Sequence, residues 1–264
     1  MTTLPPVDRD QLIATRRDLH QHPELGFEER RTGALVAERL ERLGYTVQKG
    51  VGKTGVVGVR DGAPQGNARC VLIRADMDAL PIEEANDVPY RSQHPGKMHA
   101  CGHDGHVAIG LEVARRFHAA YLPGAVKLAF QPAEEISNGA EAMIRDGVLD
   151  GPKVDAAFGI HLWNDLPAGT IALMPGPVMA SVDEFEIAIV GRDRVIDGVR
   201  TMGGEDMSYF LARVPGAFAF VGSAPPGKKG SPHHSPTFDI DEESLVIGAE
   251  LVSRTVVRYL EQGS

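Results

Sequence analysis

Residues 98–135 read MHACGHDGHVAIGLEVARRFHAAYLPGAVKLAFQPAEE, and their order sets the fold class. The first nine positions crowd His99, Cys101, His103, Asp104 and His106 into what reads as a polar loop. Next comes the helix pattern HVAIGLEVARRFHAAY, opened by Asp104 or similar capping chemistry near 102–104. AVKLAFQ is an apolar run of strand length, and Glu134 and Glu135 follow it and a proline into a loop.

The same alternation extends outward. Upstream, Asp8 or Asp10 caps a helix running to about His20, with Leu12, Ile13 and Leu19 on one side. A second helix near 28–43 carries Leu35, Val36, Leu40 and Leu43 and stops at Gly44. Strands are expected at 45–49, 55–60 and 69–76. Downstream, GAEAMIRDG reads as a helix and VDAAFGIHLW as a strand that ends near His161. Further strands fall at 169–174, 183–190 and 216–222, and helices at 205–213 and about 241–261. Strands alternating with helices predict a layered α/β fold with a mostly parallel or mixed central sheet, its chemistry at strand-end loops.

A chain of 264 residues can bury one large core or two small ones. The balance of 36 acidic against 27 basic residues gives a net charge of −9, with no basic stripe, so a nucleic-acid partner is not expected. No segment has signal-peptide character or membrane-span length, so no membrane partner and a cytoplasmic setting are expected. Two cysteines make no disulfide framework; Cys70, in ARCVLIRAD, reads as core filler.

Cys101 and His103 are spaced C-x-H, which on a helix would not converge and therefore requires a loop or strand end. Three further groups stand at strand ends or loops: the Glu134–Glu135 pair, His161, and His233 with His234 in a Pro-flanked loop. Taken singly, each has an ordinary explanation: solvated carboxylates, a hydrogen-bonded core histidine, an exposed loop pair. Together they make a mixed S/N/O set suited to Zn²⁺, Mn²⁺, Co²⁺ or Ni²⁺. Five ligands exceed one closed tetrahedral site and suggest two ions.

At these residues the chain resembles the M20 peptidase family, in the amidohydrolase branch that includes hippurate hydrolases and hydrolases of indole-acetyl amino-acid conjugates. The matching stretches, in order, are RRDLHQHPELGFEE, IRADMDALPIEE, MHACGHDGH, FQPAEE, GIHLWN, PGPVMASVDEFEI, TMGGEDMSYFL and HHSPTFDIDEESL. The resemblance implies a three-layer α/β/α domain with a mixed sheet, of the zinc-peptidase type. It implies that Cys101, His103, Glu135, His161 and His234 hold two divalent ions, His234 being chosen because it immediately precedes Ser235-Pro236. Glu134 is then the general base, acting on a metal-held water that attacks the amide of an N-acyl amino acid or short peptide. Asp76 supports the centre, as do Glu205 and Asp206 in GGED.

One stretch departs from the family. Where similar proteins begin an inserted lid that forms the dimer and lends the site a histidine, Gly191-Arg192 runs straight into DRVIDGVRTMGGED. The resemblance therefore implies one catalytic domain built from 1–192 and 193–264, lidless and monomeric. Losing one oxyanion donor can lower turnover by ~10²–10³. Two other readings stand beside hydrolysis: Cys101 as a nucleophile with His103 or His106 as base, and a metal-bearing core with little turnover.

Overall fold

The computed structural model describes residues 2–62, 69–173, 190–196, 199, 204–227 and 230–262. Its first helix, α1 (Arg9–Gln21), starts at Asp8, whose side chain accepts from Gln11 N at 3.1 Å. Helix α2 (Arg30–Arg42) is followed by Gly44 at φ +74°, a left-handed turn that glycine makes without strain. Then follow β1 (Thr46–Val51), β2 (Gly55–Arg60), β3 (Cys70–Asp76), α3 (His103–His118), β4 (Ala125–Gln131), α4 (Gly139–Arg145) and β5 (Ala156–Pro167). The chain closes with β6 (Ile171–Leu173), β7 (Val195–Ile196), α5 (Met207–Leu211), β8 (Gly216–Ala224) and α6 (Glu243–Glu261).

These strands form one sheet in the order β1-β2-β4-β3-β5-β8-β6-β7. β3 pairs in parallel with β4 and β5, and β5 with β8, while β2 and β6 join antiparallel. The sheet is mixed, as expected. Because side chains alternate along a strand, each central strand feeds two cores. Val71, Ile73 and Ala75 of β3 pack with Leu12, Val36, Val107 and Val256 from α1, α2, α3 and α6. Cys70 and Leu72 face the other way, toward Met143 of α4 and Phe210 of α5. The result is the expected three-layer α/β/α arrangement, with Cys70 as buried filler. No helix among the described residues is long and apolar enough to cross a membrane.

Three expectations need correction. Asp104 does not cap α3: the N-cap is Gly102 at φ +89°, and the Asp104 carboxylate is drawn to Arg16 and His20. His161 lies in the middle of β5, which continues to Pro167. The polar link after Arg192 is partly sheet, since Val195 and Ile196 pair with β6. The strand expected at 183–190 falls almost wholly outside the described residues. Strands from both sides of the Arg192–Asp193 junction share the single sheet.

Candidate metal centre

The crowded loop of the opening stretch ends at the first turn of α3, and the fold sends its three histidines to different places. His103 Nδ1 donates to Asp78 O at 2.9 Å, which turns Nε2 toward Glu134 and Glu135, 3.9 Å from a carboxylate oxygen of each. His106 is fully engaged: Nδ1 lies 2.5 Å from Asp76 Oδ1, and Nε2 accepts from Leu162 N at 2.9 Å. His99 is buried beside His20 and is held neutral, its pKa lowered by burial to about 3. Of the three, only His103 turns a ring nitrogen without a hydrogen-bond partner into the cluster.

Around it the other predicted residues converge. Cys101 Sγ lies 3.5 Å from His161 Nε2, and His161 Nδ1 donates to Leu162 O at 2.8 Å, fixing the tautomer. His234 Nε2 lies 3.1 Å from Glu135 Oε2. Ligand-type atoms fall within 4.8 Å of one another in overlapping triplets: Cys101–His103–His161, Cys101–Glu135–His234 and His103–Glu134–Glu135. Cys101, His103 and Glu135 each belong to two of these. His234 is held by its own amide, which donates to Ala100 O at 2.8 Å, with φ +59°, a conformation L residues rarely adopt. Its neighbour His233 turns away, donating to Leu162 O at 3.1 Å and stacking on Trp163 at 4.5 Å.

The donor set fits divalent cations on a physical test. His103 Nε2 and Glu135 Oε1 are buried and have no hydrogen-bond partner, a costly condition that a cation between them would relieve. Burial pushes the Cys101 thiol far up and the His161 imidazole well down, so neither is charged in the protein alone. That combination opposes a free thiolate nucleophile, and His106 has no nitrogen left to serve as its base.

The paired glutamates diverge. Burial pushes Glu134 up to about 8. Burial acts the same way on Glu135, but the bond from His234 and the nearby His103 override it and hold the carboxyl below its usual range. One carboxylate is thus set to stay charged and the other to exchange a proton.

Two supports escaped the sequence reading. Asp78 accepts Glu134 N and Glu135 N, each at 3.0 Å, one on each carboxylate oxygen. Arg74 donates to Gln131 Oε1 at 2.9 Å and to Asp206 Oδ1 at 2.9 Å, and pairs with Glu205 at 2.9 Å and Asp76 at 2.6 Å. Asp76 therefore reaches the cluster through His106 and lies 3.5 Å from His103 Nε2. The period-two spacing of Asp76 and Asp78 in RADMD was the signal for the second aspartate. Above the cluster a cavity of about 250 Å³ is walled by Trp163, Phe218, Phe220, Glu205 and His233.

This sheet and donor set define a metallopeptidase-type α/β/α domain. The description "Peptidase family M20/M25/M40" matches residues 72–258, and the chain belongs to that family. It is 45% identical over 187 residues to the N-acyl-L-amino acid amidohydrolase of Geobacillus stearothermophilus, covering 70% of this chain and 50% of the relative. The chain spans about half the length of most of the curated relatives it matches. YhaA of Bacillus subtilis aligns at 29% identity over 380 residues, covering 95% of both proteins. That alignment is longer than this chain, so it includes YhaA residues with no counterpart here. The crystal structure of YxeP from Bacillus subtilis, described as a dinuclear metal binding peptidase from the M20 family, superposes with a TM-score of 0.83 at 26% identity, covering 96% of this chain and 98% of that one.

Proposed function

We propose that this chain is a metal-dependent hydrolase core, working in the cytoplasm on the amide bond of N-acyl amino acids or short peptides. Cys101, His103, Glu135, His161 and His234 would hold two divalent cations from among Zn²⁺, Mn²⁺, Co²⁺ and Ni²⁺. Bound there, the cations supply Lewis acidity, polarising the amide carbonyl and acidifying the attacking water. Glu134 takes the proton from that water and, once protonated, delivers it to the leaving amine nitrogen. The observation that carries this reading is geometric: ligand-type atoms of Cys101, His103, Glu135, His161 and His234 gather in overlapping triplets around the buried, unpartnered His103 Nε2 and Glu135 Oε1. Asp76 steadies the cluster through His106 and Arg74, while Trp163, Phe218 and Phe220 offer the acyl group an apolar wall.

Residues 1–192 and 193–264 together make one catalytic domain, monomeric and without the family's inserted lid. The excess length of the YhaA alignment supports the absence of inserted residues that this relative carries. A second reading follows from the same absence: the core binds metal but turns over little because water exclusion and substrate positioning left with the lid.

The test is release of amine from an N-acyl amino-acid panel by metal-stripped protein resupplied with Mn²⁺, Co²⁺, Ni²⁺ or Zn²⁺, alongside Glu134→Gln. Metal-dependent release that Glu134→Gln abolishes while still binding metal is the expected result. Unchanged turnover in that variant removes Glu134 from the mechanism. Wild-type protein that binds metal but releases nothing selects the second reading.

A further inference from the structure

The stretch HPELGFEE, residues 22–29, has no part in the chemistry above, yet it lies against the loop that carries both glutamates. Ala79 N donates to Glu24 O at 2.8 Å and Leu25 bridges to Ala79, so the stretch runs beside the chain leaving β3. A Cβ placed on Gly26 would lie 3.2 Å from Ala133, so a bulkier residue would crowd the loop.

Glu29 occupies the N-cap position of α2 but does not cap it. That work falls to Glu24, whose carboxylate accepts Arg31 N at 2.9 Å and Thr32 N at 2.8 Å. Glu29 is instead fully buried, accepting Ala133 N at 2.8 Å on Oε1 and the Thr54 hydroxyl on Oε2. Asp78 receives the next two amides. Three successive N–H groups, of residues 133, 134 and 135, therefore end on two buried carboxylates from distant segments. The loop needs such restraint: Ala133 and Ser137 sit at φ +51° and +52°, a region non-glycine residues avoid.

We propose that Glu29 is a positioning residue for the paired glutamates: its carboxyl fixes where their loop starts, and with it the aim of Glu134 and Glu135 into the cluster. The inference rests on the roles assigned to Glu134 and Glu135 above. Asp78 alone can hold the loop's two later amides, but without Glu29 the strained turn at Ala133 is free to relax.

Amide hydrogen exchange, read residue by residue by NMR on the metal-free protein, tests this without needing turnover. In Glu29→Ala the amides of Ala133, Glu134 and Glu135 should lose protection by about tenfold or more, while α2 and β2 change by less than about threefold. Glu29→Gln keeps an acceptor oxygen for Ala133 N and should stay within about threefold of wild type at all of them. Bound Co²⁺ should show an altered visible spectrum in Glu29→Ala and a wild-type spectrum in Glu29→Gln.

Unchanged loop protection in Glu29→Ala overturns the proposal, and so does a loss shared equally by α2 and β2. If Glu29→Ala does not fold, Glu29→Asp, one methylene shorter, is read in the same way. Wild-type protein that binds no Co²⁺ defeats the metallohydrolase reading and leaves the exchange comparison standing.

Discussion

His103 and Asp104 are neighbours in the chain, yet the first turn of α3 sends them into two different buried polar clusters. Asp104 meets Arg16 Nε at 2.8 Å and His20 Nδ1 at 2.7 Å. Arg16 goes on to Asp239 at 2.8 Å, and His20 Nε2 to Glu84 at 3.2 Å. None of these side-chain atoms is left without a partner, and the charges alternate. Around His103, by contrast, a ring nitrogen and a carboxylate oxygen are buried with no hydrogen bond. Both regions are rich in titratable groups and mostly buried, with His234 and Asp239 reaching the surface. His99, a neutral ring beside His20, is the exception with both nitrogens unpartnered, so what separates the ion network from the His103 cluster is the pairing of its charged groups, not composition.

Breaking the satisfied cluster should have the larger effect on stability. Arg16→Met leaves Asp104 and Asp239 without their guanidinium, and urea denaturation at neutral pH should show a loss of about 3–5 kcal/mol. A loss no greater than that of an ordinary surface substitution would erase the distinction drawn here. On the other side, Mn²⁺ at about a hundred times its Kd should stabilise the wild type by about 2.7 kcal/mol in thermal melts, and His103→Ala should lose that increment. Equal increments in both proteins would show that the cation binds elsewhere.

The smallest effect concerns pH. Burial and Arg16 both disfavour charge on His20, but Asp104 and Glu84 outweigh them and raise its pKa above the usual value. A raised histidine stabilises the fold fully below the unfolded pKa of about 6.5, and the contribution fades as pH rises through the folded value. The stability difference between wild type and His20→Gln, followed by urea denaturation across pH, should therefore be largest in mild acid and shrink toward alkaline pH. A difference that grows with pH would reverse the assignment.

Much of the scaffold was legible because its signals are local. Asp8 caps α1 as its position suggests, Gly44 ends α2 in a left-handed turn, and the apolar runs at β3 and β4 became buried strands. The five residues singled out in the sequence, Cys101, His103, Glu135, His161 and His234, lie together in overlapping triplets. What failed to show is whatever depends on distant partners. Asp104 looks like a cap until Arg16, far upstream, claims its carboxylate. Adjacent histidines at 233 and 234 cannot be told apart by spacing; the stack on Trp163 separates them. Nothing local in HPELGFEE points to an amide at residue 133.

The bond from His234 N to Ala100 O also orders events in time. In a chain emerging from the ribosome, Cys101, His103, Glu135 and His161 can gather while the segment bearing His234 is still being made. They form a cup with one side open. The last wall is set by one of the longest-range contacts in the cluster, and such contacts form late. Tight capture of a cation at the proposed site should therefore wait for the segment bearing His234, so that a nascent chain carries an incomplete cluster until that segment has been made.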